Sequence, residues 1–323
     1  MHPWNEPIFE SLKKTRERLP HALLVYGPQG VGKLALAERL AQLLLCEHKD
    51  QRARPCGQCD GCRWYLAGNH PDFRRVEPEA IAKMPTAMEE EGEEGSEPAA
   101  PARRTKAPSI VVSVDQVRAL ADFLNLRSHR NGPRVALVHP AEDLYPNAAN
   151  ALLKSLEEPP AGAMFILVSH RPARLLPTVR SRCVGVPVPI PPADVALRWL
   201  NTQGAENAER WLAFAGGAPL QALEYAEEAM AWDHLLKSPH PVDDRESLER
   251  LGEALQKIAY DRAFSAFGLA PKYRTGTPSA SPTKARAWLS YARAMGENRM
   301  LTKHPLNPRL FSADLLAKMY DLT

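Results

Sequence analysis

A glycine-rich segment near the N-terminus has the composition and spacing of a phosphate-binding loop. Residues 23–34 read Leu-Leu-Val-Tyr-Gly-Pro-Gln-Gly-Val-Gly-Lys-Leu and fit the pattern G-x-x-x-x-G-K-[ST] except at the last position. In such a loop, backbone N–H groups at a helix N-terminus bind phosphate oxygens, and the lysine neutralises their charge. An apolar strand before the turn and a leucine-rich helix after it argue against a chance match. The pattern predicts four nucleotide-binding positions: Gly27, Gly30, Gly32 and Lys33.

Two positions that would hold a magnesium ion carry side chains that do not bind it. Leu34 stands where the pattern has a Ser or Thr hydroxyl, and leucine offers neither donor nor acceptor. A buried strand is predicted over 134–139. The acidic residues that an active P-loop ATPase carries at the end of this strand are replaced by His139 and Pro140. Because ligands are missing at two positions of one cation site, we predict that the chain has the fold of a nucleotide site but does not hydrolyse ATP.

Four of the five cysteines lie close together in the sequence. Two overlapping C-x-x-C steps place three thiolates on a tight turn, and a fourth cysteine at the end of the preceding helix can complete a tetrahedron. Idle thiols and a redox pair are the alternatives, but this spacing in a cytoplasmic chain favours structural zinc. Because all four ligands come from the protein, no position is left for a catalytic water. The predicted ligands of this module, residues 46–62, are Cys46, Cys56, Cys59 and Cys62.

The overall composition is that of an ordinary soluble protein. The 323 residues are 44% hydrophobic and 24% charged, and a net charge of +3 is too small to indicate nucleic-acid binding by itself. This length predicts two or three domains. The N-terminus has no signal-peptide pattern, and no apolar run reaches the roughly 18 residues that a bilayer requires. We therefore expect a cytoplasmic protein without a membrane partner.

A segment over residues 85–108 differs sharply from its surroundings. Six glutamates lie between Glu89 and Glu97, and prolines and basic residues follow them with almost no apolar side chain. Such a segment cannot bury enough surface to offset its ordering entropy. We expect a disordered, solvated insertion, with a functional acidic tail as the alternative.

Strands and helices alternate along the first half of the chain. Buried strands are predicted over 22–26, 134–139 and 164–169, and a capping box at Ser113 predicts the start of a helix. This alternation predicts an α/β fold with a parallel sheet covered by helices on both faces. The proline-rich stretch 187–192 predicts a domain boundary, and the residues beyond it are mostly helical.

Several of these features together resemble the bacterial clamp-loader AAA+ family. They are the degenerate phosphate-binding loop, the four-cysteine module, the run Leu-Leu-Lys-Ser-Leu-Glu-Glu-Pro-Pro within 148–160, and the triplet Ser181-Arg182-Cys183. The resemblance is clearest over residues 20–185. It implies an AAA+ P-loop core with the inserted zinc module over 1–185, a small helical lid over 186–235, and an all-α collar domain over 236–323.

The same resemblance implies a role without ATP hydrolysis. Hydrolysing gamma and tau members keep the hydroxyl and the acidic pair, and carry a nucleotide-sensing arginine that does not occur here between residues 216 and 223. A chain of this type is a rigid stator of the clamp loader in the DNA polymerase III holoenzyme, a DNA-directed DNA polymerase. Its implied partners are the gamma/tau and delta subunits and, within the complex, the sliding clamp and primer-template DNA. Because Lys33 and the loop glycines remain, weak nucleotide binding stays open.

One arginine gains a specific role from the resemblance. In the family, the arginine of the Ser-Arg-Cys triplet projects toward ATP on the neighbouring subunit, and such an arginine finger accelerates hydrolysis by about 10³ to 10⁵. The implied finger is Arg182. Without the resemblance, a surface ion pair is the preferred interpretation of this residue. Arg174 and Arg180 are weaker candidates for the same interface, and Ser169 falls where the family has a polar sensor residue.

Two other functions are open at this point. A gamma-type P-loop ATPase would hydrolyse ATP as a purified chain with magnesium. A free-standing zinc-containing nucleic-acid-binding protein would stay monomeric and hold DNA tightly. The missing cation ligands argue against the first of these.

Overall fold

The computed structural model describes residues 1–82, 109–276, 281–298 and 306–322. Within it, the chain divides into two compact units, Met1–Pro189 and Ile190–Thr323. The predicted acidic insertion over 85–108 lies outside the described residues. No helix in the described ranges combines the length and the apolar composition that a bilayer crossing needs.

The first unit is built on a parallel five-stranded sheet. Its strands are β1 (Ala22–Tyr26), β2 (Phe73–Val76), β3 (Arg134–Val138), β4 (Ala163–Ser169) and β5 (Val184–Pro187). They lie in the order β2-β3-β4-β1-β5, and every pairing is parallel. The register of the central pair places Tyr26 opposite Ser169. The carboxyl ends of the strands therefore meet at one edge of the sheet, which is where α/β proteins bind ligands.

Helices cover both faces of this sheet. They are α1 (Glu6–Lys14), α2 (Lys33–Leu45), α3 (Asp60–Leu66), α4 (Glu79–Ala82), α5 (Val114–Asn125), α6 (Pro146–Glu157) and α7 (Pro177–Arg180). Ala22 and Leu24 pack in one apolar cluster with α5 and α6, while the alternate residues Leu23 and Val25 are equally buried. Because alternate side chains point to opposite faces, both faces of β1 are covered. Helix α2 contacts β3 and β4, as the predicted α/β fold requires.

The described residues of the second unit form helices and loops. The helices are α8 (Ala193–Thr202), α9 (Ala208–Phe214), α10 (Pro219–Glu227), α11 (Ala229–Lys237), α12 (Arg245–Ala266), α13 (Ala285–Asn298) and α14 (Pro308–Tyr320). One apolar cluster runs from α8 to α12, and a second joins α12 to α13 and α14. The division of this unit into a lid and a collar remains a prediction.

The predicted strands at the centre of the sheet agree with the structure. Strand β1 has the predicted bounds, and β3 and β4 differ from theirs by a single residue. Helix α5 begins at the predicted capping box, in which Ser113 Oγ accepts from the backbone N–H of Gln116 and the Gln116 side chain accepts from Ser113 N. Strands β2 and β5 and helix α3 have no counterpart among the predicted elements. Both of these strands lie at edges of the sheet.

Candidate functional site

The glycine-rich loop joins β1 to α2 in a conformation that its glycines permit. Gly27, Gly30 and Gly32 have φ angles of 155°, 77° and 78°, which residues with a Cβ rarely adopt. A Cβ on Gly27 would lie 2.1 Å from the carbonyl oxygen of Val188. Helix α2 begins at Lys33, directly after the loop. The loop therefore ends at a helix N-terminus, where unpaired backbone N–H groups favour anions.

Lys33 is turned onto its own loop. Its ammonium group donates a hydrogen bond to the carbonyl oxygen of Pro28, and the residue is 2% exposed. Burial lowers the pKa of this lysine to about 8, and the carboxylate of Glu142 opposes that shift. The charge that would neutralise a phosphate is thus held by a contact within the chain.

Residues before α1 pack against the loop. Trp4 Nε1 and Asn5 Nδ2 each donate to the carbonyl oxygen of Val31 at 3.0 Å, and Asn5 Nδ2 also lies 3.2 Å from the carbonyl oxygen of Gly32. A Cβ on Gly32 would lie 2.4 Å from the His2 ring. Sequence reasoning missed these contacts, because no pattern in the N-terminal residues indicates a partner in a distant loop. The N-terminal segment thus holds the loop in place through hydrogen bonds to its carbonyl groups.

Two histidines meet just beyond the carboxyl ends of β3 and β4. The Nε2 atoms of His139 and His170 are 3.2 Å apart, which is hydrogen-bonding distance. Burial, the facing imidazole and nearby cations lower the pKa of His139 to about 3, and burial followed by the charge of Lys33 lowers that of His170 to about 4. Both rings are therefore neutral at pH 7. Sequence reasoning identified the first histidine as a replaced acidic residue and missed the second.

The nearby carboxylate and hydroxyl groups are engaged by backbone N–H groups. Glu142 belongs to a 3₁₀ turn over Ala141–Asp143, and its Oε1 accepts from the backbone N–H of His170 at 2.9 Å. Ser169, the predicted sensor position, is fully buried at the end of β4. Its Oγ accepts from the backbone N–H of Arg171 at 3.2 Å. Ser169 Oγ and Glu142 Oε1 thus have partners within the chain, while Glu142 Oε2 is buried and has no hydrogen-bond partner among the described residues.

The four predicted zinc ligands converge between α2 and α3. Their sulfur atoms all lie within 4.8 Å of one another. The Sγ–Sγ distances are 3.7 Å for Cys46–Cys56, 3.8 Å for Cys46–Cys59 and 4.0 Å for Cys56–Cys62. A tetrahedral site with Zn–S bonds of about 2.3 Å places its sulfur atoms about 3.8 Å apart. The four side chains therefore fit a tetrahedral metal ion.

Backbone N–H groups donate to the sulfur atoms on this turn. Cys59 N and Gln58 N lie 3.3 and 3.5 Å from Cys56 Sγ, and Cys62 N lies 3.4 Å from Cys59 Sγ. The hydrogen bonds from Gln58 and Cys59 lower the pKa of the Cys56 thiol to about 6. Burial raises the pKa of Cys46 and of Cys62. The turn thus favours a thiolate at Cys56, which is the form that binds metal.

An arginine links the cysteine module to the rest of the first unit. Arg130 donates to both carboxylate oxygens of Glu47, at 2.7 and 2.8 Å, and its guanidinium lies 4.8 Å from the ring centroid of Trp64 in α3. Buried Asp72 accepts from the backbone N–H groups of His129 and Arg130, at 2.9 and 3.1 Å. These hydrogen bonds fix the loop that carries the arginine. Cysteine spacing alone gives no indication of these partners.

Arg182 follows α7 and is turned toward α6. Its Nη2 forms an ion pair with Glu157 Oε1, and its Nη1 donates to the carbonyl oxygen of Thr178 at 2.8 Å. The arginine side chain is 33% exposed. The predicted arginine finger therefore lies at the surface of this chain, paired with a carboxylate of the same chain. Arg174 and Arg180 are also exposed and lie on the same stretch.

The parallel sheet, its strand order and the glycine-rich loop after β1 define a P-loop protein of the AAA+ class. A family model described as DNA polymerase III, delta subunit, matches residues 5–191. The chain is 40% identical over 226 residues to the DNA polymerase III subunit delta' of Pseudomonas aeruginosa, and 35% identical over 227 residues to that of Escherichia coli K12. Each alignment covers 69% of this chain. The chain belongs to the DNA polymerase III delta' subunit family.

These matches cover part of each relative. The aligned region spans 60% of the length of both of these delta' subunits. Among solved structures, a DNA polymerase III gamma subunit-related protein from Thermotoga maritima aligns over 98% of this chain and 99% of its own length, with 19% identity and a TM-score of 0.44. At that score the likeness supports no inference about this chain.

Proposed function

We propose that this chain is a non-hydrolysing stator subunit of a DNA polymerase III clamp loader, where it helps to load the sliding clamp onto primed DNA during replication. Membership of the delta' family supports this proposal. One observation carries the proposal. The loop has phosphate-binding geometry, but the neighbouring positions that would bind magnesium carry side chains that are not magnesium ligands. Leu34 has no ligand atom, and a neutral histidine pair stands at the strand ends.

A neutral histidine pair does not replace the carboxylates of a hydrolytic site. Magnesium prefers oxygen ligands. The Nε2 atoms of His139 and His170 hydrogen-bond each other, and Oε1 of Glu142 accepts from a backbone N–H. The buried ammonium group of Lys33 adds positive charge near these rings. The carboxylate of Glu142 lies close enough to this ammonium group to raise its pKa, so its negative charge is already offset within the chain and little is left to compensate the desolvation of a magnesium ion.

Arg182 is the group that this subunit would contribute to catalysis. A guanidinium stays charged at all physiological pH values, and its planar fork matches phosphate oxygens. Its partial exposure makes it accessible to a neighbouring chain. In the proposed complex it would act on ATP bound by the adjacent gamma/tau subunit and stabilise charge on the transferred phosphoryl group.

The cysteine cluster would hold one structural zinc ion. Four thiolates in a tetrahedral arrangement are typical of structural zinc sites, and they leave no open position for a substrate. Cys46 lies at the end of α2, and Cys62 lies within α3. The ion would tie these two helices together and take no part in the chemistry.

The second unit would supply the contacts that hold the complex together. We propose a helical lid over 186–235, of which residues 186–189 lie in the first unit, and a collar over 236–323 that joins this chain to the gamma/tau and delta subunits. The sliding clamp and primer-template DNA would be partners within the complex. Such a complex would act in the cytoplasm, where replication takes place in bacteria.

Reconstitution tests this proposal. A clamp loader assembled from gamma/tau and delta subunits should load the clamp onto primed DNA only when this chain is added, and the chain alone should show no magnesium-dependent ATP hydrolysis. Equal loading without the chain would refute the stator role. Robust hydrolysis by the chain alone would instead support a gamma-type ATPase. Tight DNA binding by a chain that stays monomeric among these subunits would support a free-standing nucleic-acid-binding protein.

A further inference from the structure

The guanidinium of Arg182 is held by three acceptors of its own chain. Its Nη2 pairs with Glu157 Oε1, and its Nη1 lies 2.8 Å from the carbonyl oxygen of Thr178 and 3.4 Å from Ser181 Oγ. The ion pair joins the end of α6 to Arg182, which follows α7. The planar fork that would bind a phosphate is therefore already occupied in the single chain.

Glu157 is a carboxylate whose position favours this pairing. It is the last residue of α6, where the helix dipole disfavours a negative charge. The positive charge of Arg182 offsets that effect. The next residue, Glu158, is a carboxylate as well, and within the described part of the chain it forms no ion pair. Of these two adjacent carboxylates, only Glu157 is placed to pair with Arg182.

We propose that Glu157 is a positioning residue that holds Arg182 in a withdrawn state until a neighbouring triphosphate replaces it. This inference rests on the proposed arginine-finger function. One guanidinium fork cannot bind the carboxylate and a phosphate with the same N–H groups. A triphosphate carries more negative charge than a single carboxylate, so it displaces Glu157 when the neighbouring subunit docks. The carboxylate therefore opposes premature engagement of the finger.

The expected effect of this ion pair is modest. The side chains of Arg182 and Glu157 are 33% and 48% exposed, and exposed ion pairs are weakened by solvent and by salt. Removing the ion pair should therefore raise the fraction of Arg182 that is free to bind a phosphate by about two- to five-fold. An effect of this size tunes the neighbouring ATPase without controlling it completely.

A first experiment tests the ion pair in the isolated full-length chain. The variants Glu157→Gln and Glu158→Gln are treated with phenylglyoxal, and modification of Arg182 is followed by peptide mass spectrometry. Glu157→Gln should be modified about two- to five-fold faster than the wild-type chain, while Glu158→Gln should react at the wild-type rate. Equal rates for Glu157→Gln and wild type would overturn the proposal, whatever Arg182 does in the complex.

A second experiment measures ATP turnover in the assembled clamp loader. Glu157→Gln should raise turnover about two- to five-fold at low salt, and the increase should fall as salt screens the pair. The double variant Glu157→Gln/Arg182→Ala should match Arg182→Ala alone, because the effect acts through the arginine. Unchanged or lower turnover with Glu157→Gln would overturn the withdrawn state. Unchanged turnover with Arg182→Ala would instead overturn the arginine finger, which separates the two proposals.

Discussion

The Nε2 atoms of His139 and His170 lie 3.2 Å apart just beyond the carboxyl ends of β3 and β4. Both imidazoles are neutral at pH 7, because burial lowers the pKa of the first to about 3 and of the second to about 4. A hydrolytic P-loop site needs negative charge at this place to hold its cation. In this chain, two neutral imidazole rings that hydrogen-bond each other stand at this place instead.

The histidine pair predicts that the chain loses stability in mild acid. The pKa of each ring is about 6.5 in the unfolded chain and lower in the folded chain, so the unfolded state binds more protons between these values. The contribution of the neutral histidines to the free energy of unfolding is complete above pH 6.5 and is lost as the pH falls toward 4. Urea unfolding should show that each histidine accounts for roughly 2 kcal/mol of lost stability between about pH 7 and pH 5.

A double variant isolates this effect. His139→Asn/His170→Asn should show a weaker pH dependence than the wild-type chain over the same range, because neither asparagine titrates. His240→Asn, at an exposed position, serves as the control and should keep the wild-type dependence. If the double variant and the wild type lost stability equally, the rings would not be buried and neutral.

The cysteine module predicts about one zinc ion per chain. Cys62→Ser removes a ligand that is fully buried, so metal analysis should find well below one zinc ion per chain. The thermal midpoint should fall by at least roughly 5 °C, because the ion joins α2 to α3. Cys183→Ser changes a cysteine outside the cluster and should retain the metal. A wild-type chain purified without any metal, or full zinc occupancy in Cys62→Ser, would contradict the assignment.

Restoring one cation ligand should not restore hydrolysis. Leu34→Thr supplies the hydroxyl that the loop pattern requires, but the strand end still carries His139 in place of an acidic residue. We expect no magnesium-dependent phosphate release above the wild-type background when the purified variant is assayed alone. Measurable turnover in this single variant would show that Leu34 is the sole block and that the histidine pair is compatible with the reaction.

The central part of the fold could be predicted from sequence because it has strong local signals. Strands β1, β3 and β4 each contain a continuous apolar run of at least four residues, since both of their faces are buried. Strands β2 and β5 read Phe-Arg-Arg-Val and Val-Gly-Val-Pro. They are short edge strands with exposed positions, so they lack the apolar run that predicts a strand.

The same distinction applies to the candidate sites. The four cysteines lie within one short segment, so their spacing already indicates a metal site, and their sulfur atoms do converge. Contacts such as His139 with His170 and Glu157 with Arg182 join residues from different elements. No local pattern encodes these pairs, because they depend on how the strand ends and helix ends come together.

The most direct test of the account is ATP turnover in a reconstituted clamp loader in which only the subunit facing this chain has a working ATPase site. Arg182→Ala should lower that turnover by about 10³-fold or more while the complex still assembles. Arg118→Ala changes an arginine of α5 whose side chain is 70% exposed, and it should leave turnover at the wild-type level. Unchanged turnover with Arg182→Ala in a fully assembled complex would contradict the account.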